Sequence, residues 1–346
     1  MKKYFNCLVS AITTIVMASV AYAQNNNSSP DVYVVGYEKN AQGKQIATLW
    51  KNGKAQYLTN GDTDSNANSI FVSGKDIYVA GTYQKNGMNV PALWKNGELQ
   101  NLSNSPDIYE GVANSVYVSN SDVYVAGSGD GFATLWKNGI PQQLHGKNPR
   151  AVNNGSGKAI SVFVSSGNVY VLGSDINGNP LLWVNGVVKQ PNANQSYLYG
   201  NPISLFVNGT NIYFSERSGP VFDSTRAFFW KNFTMSSLSL SPRKRDWGTN
   251  SVFVTGNDVY LAGYEIGEYV EDVGPAVATV WKNGKPKSLG SGWGNSVYVS
   301  GGNVYVAGRE GYGLGFGGYE GYYAVLWKNG VKTVLGNGIA NAVFVK

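Results

Sequence analysis

Residues 115–139 read SVYVSNSDVYVAGSGDGFATLWKNG, and the fold follows from this stretch. Apolar and polar residues alternate through Ser115–Ser119 and again through Asp122–Gly127, the two-residue period of a strand. A third apolar run, Phe132–Trp136, follows. Between the runs stand Asn120-Ser121, Gly129-Asp130-Gly131 and Asn138-Gly139, residues that tolerate the positive φ of tight hairpin turns. A short fourth segment closes on Leu144. Four short strands joined in this way make an antiparallel meander and leave no room for a helix.

The unit returns about every 46 residues. Its first strand, close to S-V-[FY]-V, begins at Ser69, Ser115, Ser161, Ser204, Ser251 and Ser296 and reappears as Ala342-Val343-Phe344-Val345. The second holds Tyr33, Tyr78, Tyr124, Tyr170, Tyr213, Tyr260 and Tyr305, and the third ends at Trp50, Trp94, Trp136, Trp183, Trp230, Trp281 and Trp327. A repeated four-stranded meander is a propeller pattern. The expected fold is therefore all-β: a seven-bladed β-propeller with four antiparallel strands per blade. Residues 31–36 read as a second strand and residues 339–346 as an orphan first strand. The C-terminal strand is thus expected to complete the first blade and close the ring. Tyr and Trp residues present in every copy read as packing between blades.

The N-terminus carries Lys2 and Lys3, an apolar run from Leu8 to Val20, and Ala21-Tyr22-Ala23, which together predict a signal peptide over residues 1–23. Gln24–Pro30 (QNNNSSP) reads as a flexible leader, and residues 31–346 as one propeller domain. Export to the periplasm or the exterior is expected. The single cysteine, Cys7, falls in the signal segment, so a mature chain has no thiol for a disulfide. No transmembrane segment is expected, because no run reaches the roughly 18–20 apolar residues that a spanning helix needs. The net charge of +6 includes Lys2 and Lys3, and only Arg243-Lys244-Arg245 approaches a basic run, so nucleic acid is not an expected partner.

With cores such as SVYVSNSDVYVAG and ATLWKNG, the chain resembles the tandem repeats of uncharacterised secreted or surface bacterial proteins, usually taken to be β-propellers. The resemblance spans nearly all of residues 31–346. It implies a fold and a compartment, and brings no catalytic residues with it. The repeat lacks the Gly-His and Trp-Asp pairs of WD40 units, the paired glycines of kelch units and the Asp-box of sialidases.

Connection lengths separate the two ends of the strands. First strand to the end of the second takes 12 residues in every complete copy, and Trp to the closing residue takes 8. From the second strand to Trp the step varies from 9 to 19, and from Trp to the next first strand from 15 to 25. In a meander these two variable connections share a face, where binding sites usually lie. The longest insertions between the second strand and Trp fall in the last two units, with Glu265, Glu268 and Tyr269 in one and Tyr312 and Tyr319 in the other. Arg243, Arg245, Trp247 and Trp293 join them there, the two Trp being those outside the repeat. Such a group suits a glycan or a protein ligand. Alternatively, the two Trp plug the channel mouth. Asn68, Asn114, Asn250, Asn295 and Asn341 precede the first strand of five units and either bind a polar ligand or satisfy backbone groups there.

Signs of catalysis are sparse. Residues 313–318 match G-x-G-x-x-G but lack a following helix. Asp62-Thr63-Asp64-Ser65-Asn66 starts like a calcium loop without its glycine and distal glutamate. The lone His145 supports neither a metal cluster nor a serine nucleophile. No catalytic residue, metal or cofactor is assigned. The leading expectation is a non-catalytic binding module for a glycan or protein, the alternatives being a carbohydrate enzyme using paired carboxylates or a structural surface protein.

Overall fold

The computed structural model describes residues 29–100, 102, 110–146, 157–175, 180–189, 200–218, 227–242, 244–267, 276–315 and 318–346. The expected signal segment and most of the leader lie outside them. By its contacts the chain divides into residues 1–30 and Asp31–Lys346, and the second unit is built of strands. It begins with β1 (Val32–Lys39), β2 (Gln45–Lys51) and β3 (Lys54–Tyr57). Next come β4 (Ser65–Ser73), β5 (Asp76–Lys85), β6 (Met88–Lys95) and β7 (Glu98–Gln100). They are followed by β8 (Gly111–Ser119), β9 (Asp122–Gly129), β10 (Phe132–Lys137) and β11 (Ile140–Gln143). The fourth group is β12 (Gly157–Ser165), β13 (Asn168–Asp175), β14 (Pro180–Val184) and β15 (Val187–Lys189). The fifth is β16 (Gly200–Asn208), β17 (Asn211–Ser218), β18 (Ala227–Lys231) and β19 (Thr234–Ser237). Then come β20 (Lys244–Thr255), β21 (Asp258–Gly267), β22 (Ala276–Lys282) and β23 (Lys285–Ser291). The chain closes with β24 (Trp293–Ser300), β25 (Asn303–Gly315), β26 (Gly318–Lys328) and β27 (Val331–Val345).

The fold is an all-β propeller, but the expectation of seven four-stranded blades is corrected. Five four-stranded blades form, and the remaining strands make one seven-stranded sheet in the order β24-β25-β26-β27-β1-β2-β3. The cause is β27, whose Val331–Asn337 pairs with β26 and whose Gly338–Val345 pairs with β1. Gly336-Asn337-Gly338 has the composition of a turn yet runs extended. A Cβ on Gly338 would stand 1.9 Å from the Tyr37 carbonyl oxygen, so only glycine lets β27 approach β1 so closely.

A second correction concerns the long insertions of the last two units, expected as loops. Much of their length is strand. β25 and β26 continue as a hairpin to Gly315↔Gly318, and β20 pairs with β21 as far as Lys244↔Gly267. Trp247 and Trp293 therefore stand on strands.

The innermost strands β4, β8, β12, β16, β20, β24 and the end of β27 pack side by side around the axis. Each carries a bulge immediately before its S-V-[FY]-V segment, where the register steps over residues 68, 114, 160, 203, 250, 295 and 341. Below the bulges, Phe71, Tyr117, Phe163, Phe206, Phe253, Tyr298 and Phe344 form an unbroken circle of aromatic contacts with ring centroids 4.7–5.3 Å apart. Burial pushes the phenols of Tyr117 and Tyr298 up. Farther out, all seven repeat Trp side chains are buried in clusters that join neighbouring units.

The uniform face is explained by one recurring turn. In Lys95-Asn96-Gly97, Asn96 takes a φ of 53°, its Oδ1 accepts from the Ile77 N–H at 2.8 Å, and its amide donates to Asp76 at 2.9 Å. Lys95 pairs with Asp76 at 3.0 Å and lies over the Tyr78 ring. The same Asn-to-backbone bond, at 2.8–2.9 Å, recurs at Asn52, Asn138, Asn185, Asn232, Asn283 and Asn329.

Candidate ligand-binding site

On the variable face the structure separates residues that the repeat analysis had grouped. Glu265 on β21 is fully enclosed: its Oε1 accepts from the Ser241 N–H at 2.7 Å, and its Oε2 from the Ser241 hydroxyl at 2.7 Å and Thr279 at 3.1 Å. It anchors the connection leading into β20. Trp247, opposite Glu265 in the ladder, packs against the cluster of Tyr213, Leu238 and Val252 between two blades, with its indole N–H buried and unpartnered among the described residues. Arg245 lies on β20, whereas Arg243, Glu268 and Tyr269 fall outside the described residues. Tyr312 and Tyr319 stand on the two arms of the β25–β26 hairpin, opposite Gly321 and Leu314.

The five asparagines occupy the bulges, and each ties its strand to the next one around the axis. Asn68, Asn114, Asn250, Asn295 and Asn341 donate their amides to the carbonyls of Ala113, Ala159, Gly294, Ala340 and Ala67 at 2.8–3.0 Å. A serine follows six of the seven bulges and makes a parallel link: Ser69, Ser115, Ser161, Ser204, Ser251 and Ser296 accept from the N–H of Val116, Val162, Leu205, Val252, Val297 and Val343 at 3.1–3.3 Å.

Trp293 has different surroundings. It opens β24 opposite Arg309 of β25, and the Arg309 guanidinium carbon lies 4.9 Å from its ring centroid and 4.8 Å from that of Tyr322 on β26. The two rings meet at 82° with centroids 5.8 Å apart, so the guanidinium occupies the corner of two nearly perpendicular walls. Among the described residues Arg309 Nε is buried without a partner, and none of their ion pairs includes this side chain. Its charge reaches Tyr37, whose phenol burial pushes up while Arg309 draws it down. The neighbouring Glu310 is engaged by Lys332 at 2.6 Å. Exposed Tyr323 is the next residue along β26.

Arg309 and Tyr322 fall within the seventh unit's expected insertion, residues 309–323, but were not singled out in it. A signal was present. The position that ends the second strand's motif is followed by Tyr37, Thr82, Ser128, Ser174 and Tyr264 in five units, a hydroxyl each time, and by an arginine in the other two, Arg217 and Arg309. Among the described residues no group of His, Cys, Asp and Glu is arranged to hold a metal, and no helix is long and apolar enough to cross a membrane.

No protein-family model matches the sequence, and no curated protein matches it. A puromycin-hydrolysing peptidase of Mycobacterium tuberculosis aligns with 90% of this chain and 53% of its own, at a TM-score of 0.56 and 11% identity. The chain thus spans about half the length of that peptidase. A thermostable family-43 glycoside hydrolase aligns over 72% of this chain and 94% of its own, at a TM-score of 0.36 and 13% identity. At such identity the likeness to the peptidase is one of architecture, and what it shows is a β-propeller.

Proposed function

We propose that the protein is an exported, non-catalytic binding module that holds a glycan on its variable face, at the corner of Trp293, Arg309 and Tyr322. The observation that carries this reading is the guanidinium set between two aromatic walls at 4.9 and 4.8 Å without a carboxylate partner among the described residues. Flat rings cover the apolar faces of sugars, and a fixed guanidinium answers their oxygens. Three described carboxylates of this face favour binding over hydrolysis, because they are held by structural partners. Glu265 accepts three hydrogen bonds, Glu310 is paired with Lys332, and Glu38 accepts from Trp50 Nε1 and the Tyr57 hydroxyl, both at 3.0 Å. Glycoside hydrolysis needs two available carboxyl groups roughly 5–10 Å apart.

A glycan array with the full chain tests the reading. Trp293→Ala is expected to weaken the strongest signal roughly tenfold or more, as loss of a binding aromatic does, without lowering the melting temperature appreciably. Lys95→Ala, in a turn of the uniform face, should leave that signal unchanged. Binding that survives Trp293→Ala and falls with Lys95→Ala would place the site on the other face and sink the reading.

A further inference from the structure

We infer that Arg309 makes this site selective for acidic sugars, its ligand being a glycan that carries a carboxylate. The inference rests on the binding reading above and names the chemistry of its ligand. A guanidinium always carries its charge, and a buried or half-buried one ordinarily has an anionic partner. Five lysines have carboxylate partners, Lys51, Lys95, Lys137 and Lys282 each 2.7–3.0 Å from an aspartate and Lys332 2.6 Å from Glu310, while Lys231 and Lys328 lie over Tyr213 and Tyr305 where Asn211 and Asn303 replace the aspartate. Arg309 instead has two π walls, which attract the charge without accepting its in-plane N–H bonds. Among the described residues its buried Nε donor is left without an acceptor. A carboxylate meets the outer Nη edge of the guanidinium, where two parallel N–H···O bonds match its geometry.

Charge decides between anions. A phosphate brings about −1.5 to −2 charges, whereas one guanidinium supplies a single positive one, and the nearby Lys332 is already neutralised by Glu310. A carboxylate balances it one to one. The two ring walls favour a sugar over an acidic peptide, since a pyranose lays an apolar face on an aromatic ring and an acidic side chain does not.

The test titrates the full chain with oligogalacturonate and oligoglucuronate, with the methyl esters of both, and with poly-glutamate, following tryptophan fluorescence and heat. The expected result is a preference of roughly tenfold or more for at least one free acid over its ester, the value of one charge-assisted hydrogen-bonded contact. Arg309→Gln should erase that preference, and Arg309→Lys should restore only part of it. Equal affinity for acid and ester overturns the inference, and needs no variant to fold. A preference that persists in a folded Arg309→Gln protein overturns it too, as does poly-glutamate binding as tightly as the uronates. Ester and acid bound alike with full dependence on Trp293 would defeat the acid selectivity and keep the glycan reading, whereas no binding to any sugar would defeat both.

Discussion

Asp31 gathers Lys51 Nζ at 2.9 Å, the Asn52 amide at 2.7 Å and the Tyr33 hydroxyl at 3.1 Å, and these donors, Lys51 and Asn52 foremost, hold its carboxyl at about 2. Asp76 is lowered in the same way, by Asn96 and then Lys95, while Lys137 and Lys282 lower Asp122 and Asp258. A carboxyl held below its unfolded value contributes stability that is complete above about pH 4. That stability disappears as pH falls through the folded value, so the window of loss runs from about 4 down to about 2. Melting temperature is therefore expected to stay flat from neutrality to about pH 5 and to drop below about pH 4. Asp31→Asn should shrink that acid drop by about as much as it lowers the neutral-pH melting temperature, with the turn itself kept, since Asn168, Asn211 and Asn303 occupy the equivalent place and still bond the turn asparagine at 2.8–2.9 Å. An unchanged acid limb in thermal melts of the variant would refute this assignment. The motif residues D-x-Y and K-N-G were legible as recurring. Their union in one cluster was not, because the partners stand some 15–26 residues apart and meet only when three strands are laid side by side.

Among elements, the bulge is the recurring device that the repeat half revealed. Asn68 and its counterparts stood out as residues, but their acceptors belong to the next unit, 45 positions along the chain, and a single repeat carries no sign of its neighbour. Ile160 and Ile203 take the same bulge without an amide, so the backbone step rather than the side chain is what every unit needs. Opposite the bulge stands the last glycine of the second strand. A Cβ on Gly81 would come within 2.0 Å of the Asn66 carbonyl oxygen, so Gly81→Ala must push β4 and β5 apart. The expected loss, read from chemical denaturation, is about 1–3 kcal/mol or more, the range for overpacking a tight interior. A variant as stable as the parent would mean the two strands part freely there. The hairpin of β25 and β26 escaped sequence reading because its glycines suggest a loop, while the ladder continues across them to Gly315↔Gly318.

For the whole molecule, the circle of aromatic side chains and the pairing of β27 with β1 make residues 339–346 a closing segment. Deleting them removes Phe344 from between Phe71 and Tyr298 and strips β1 of one neighbour over Val32–Tyr37. An unpaired edge of that length is an aggregation hazard. The truncated chain is expected to aggregate or to melt far below the parent, as light scattering and calorimetry would record. A monomer with parental melting behaviour would show that β27 is dispensable. Periodicity predicted the strands, the turns and the Trp core, whereas the merging of sheets hinged on whether four residues, Leu335–Gly338, bend or run straight, and their composition suits either. The same strand has a mechanical consequence. Asp31 and Lys346 lie side by side, each donating its N–H to the other's carbonyl at 2.8 and 2.9 Å, and the ladder behind them runs antiparallel from Val32↔Val345 to Glu38↔Gly338. Tension applied through these two residues loads that ladder from its end, one pair at a time, instead of shearing all pairs at once. A joint that resists dissociation in solution through many simultaneous bonds therefore yields to a pull like a zipper, and anchoring both residues to the same support would remove that weakness.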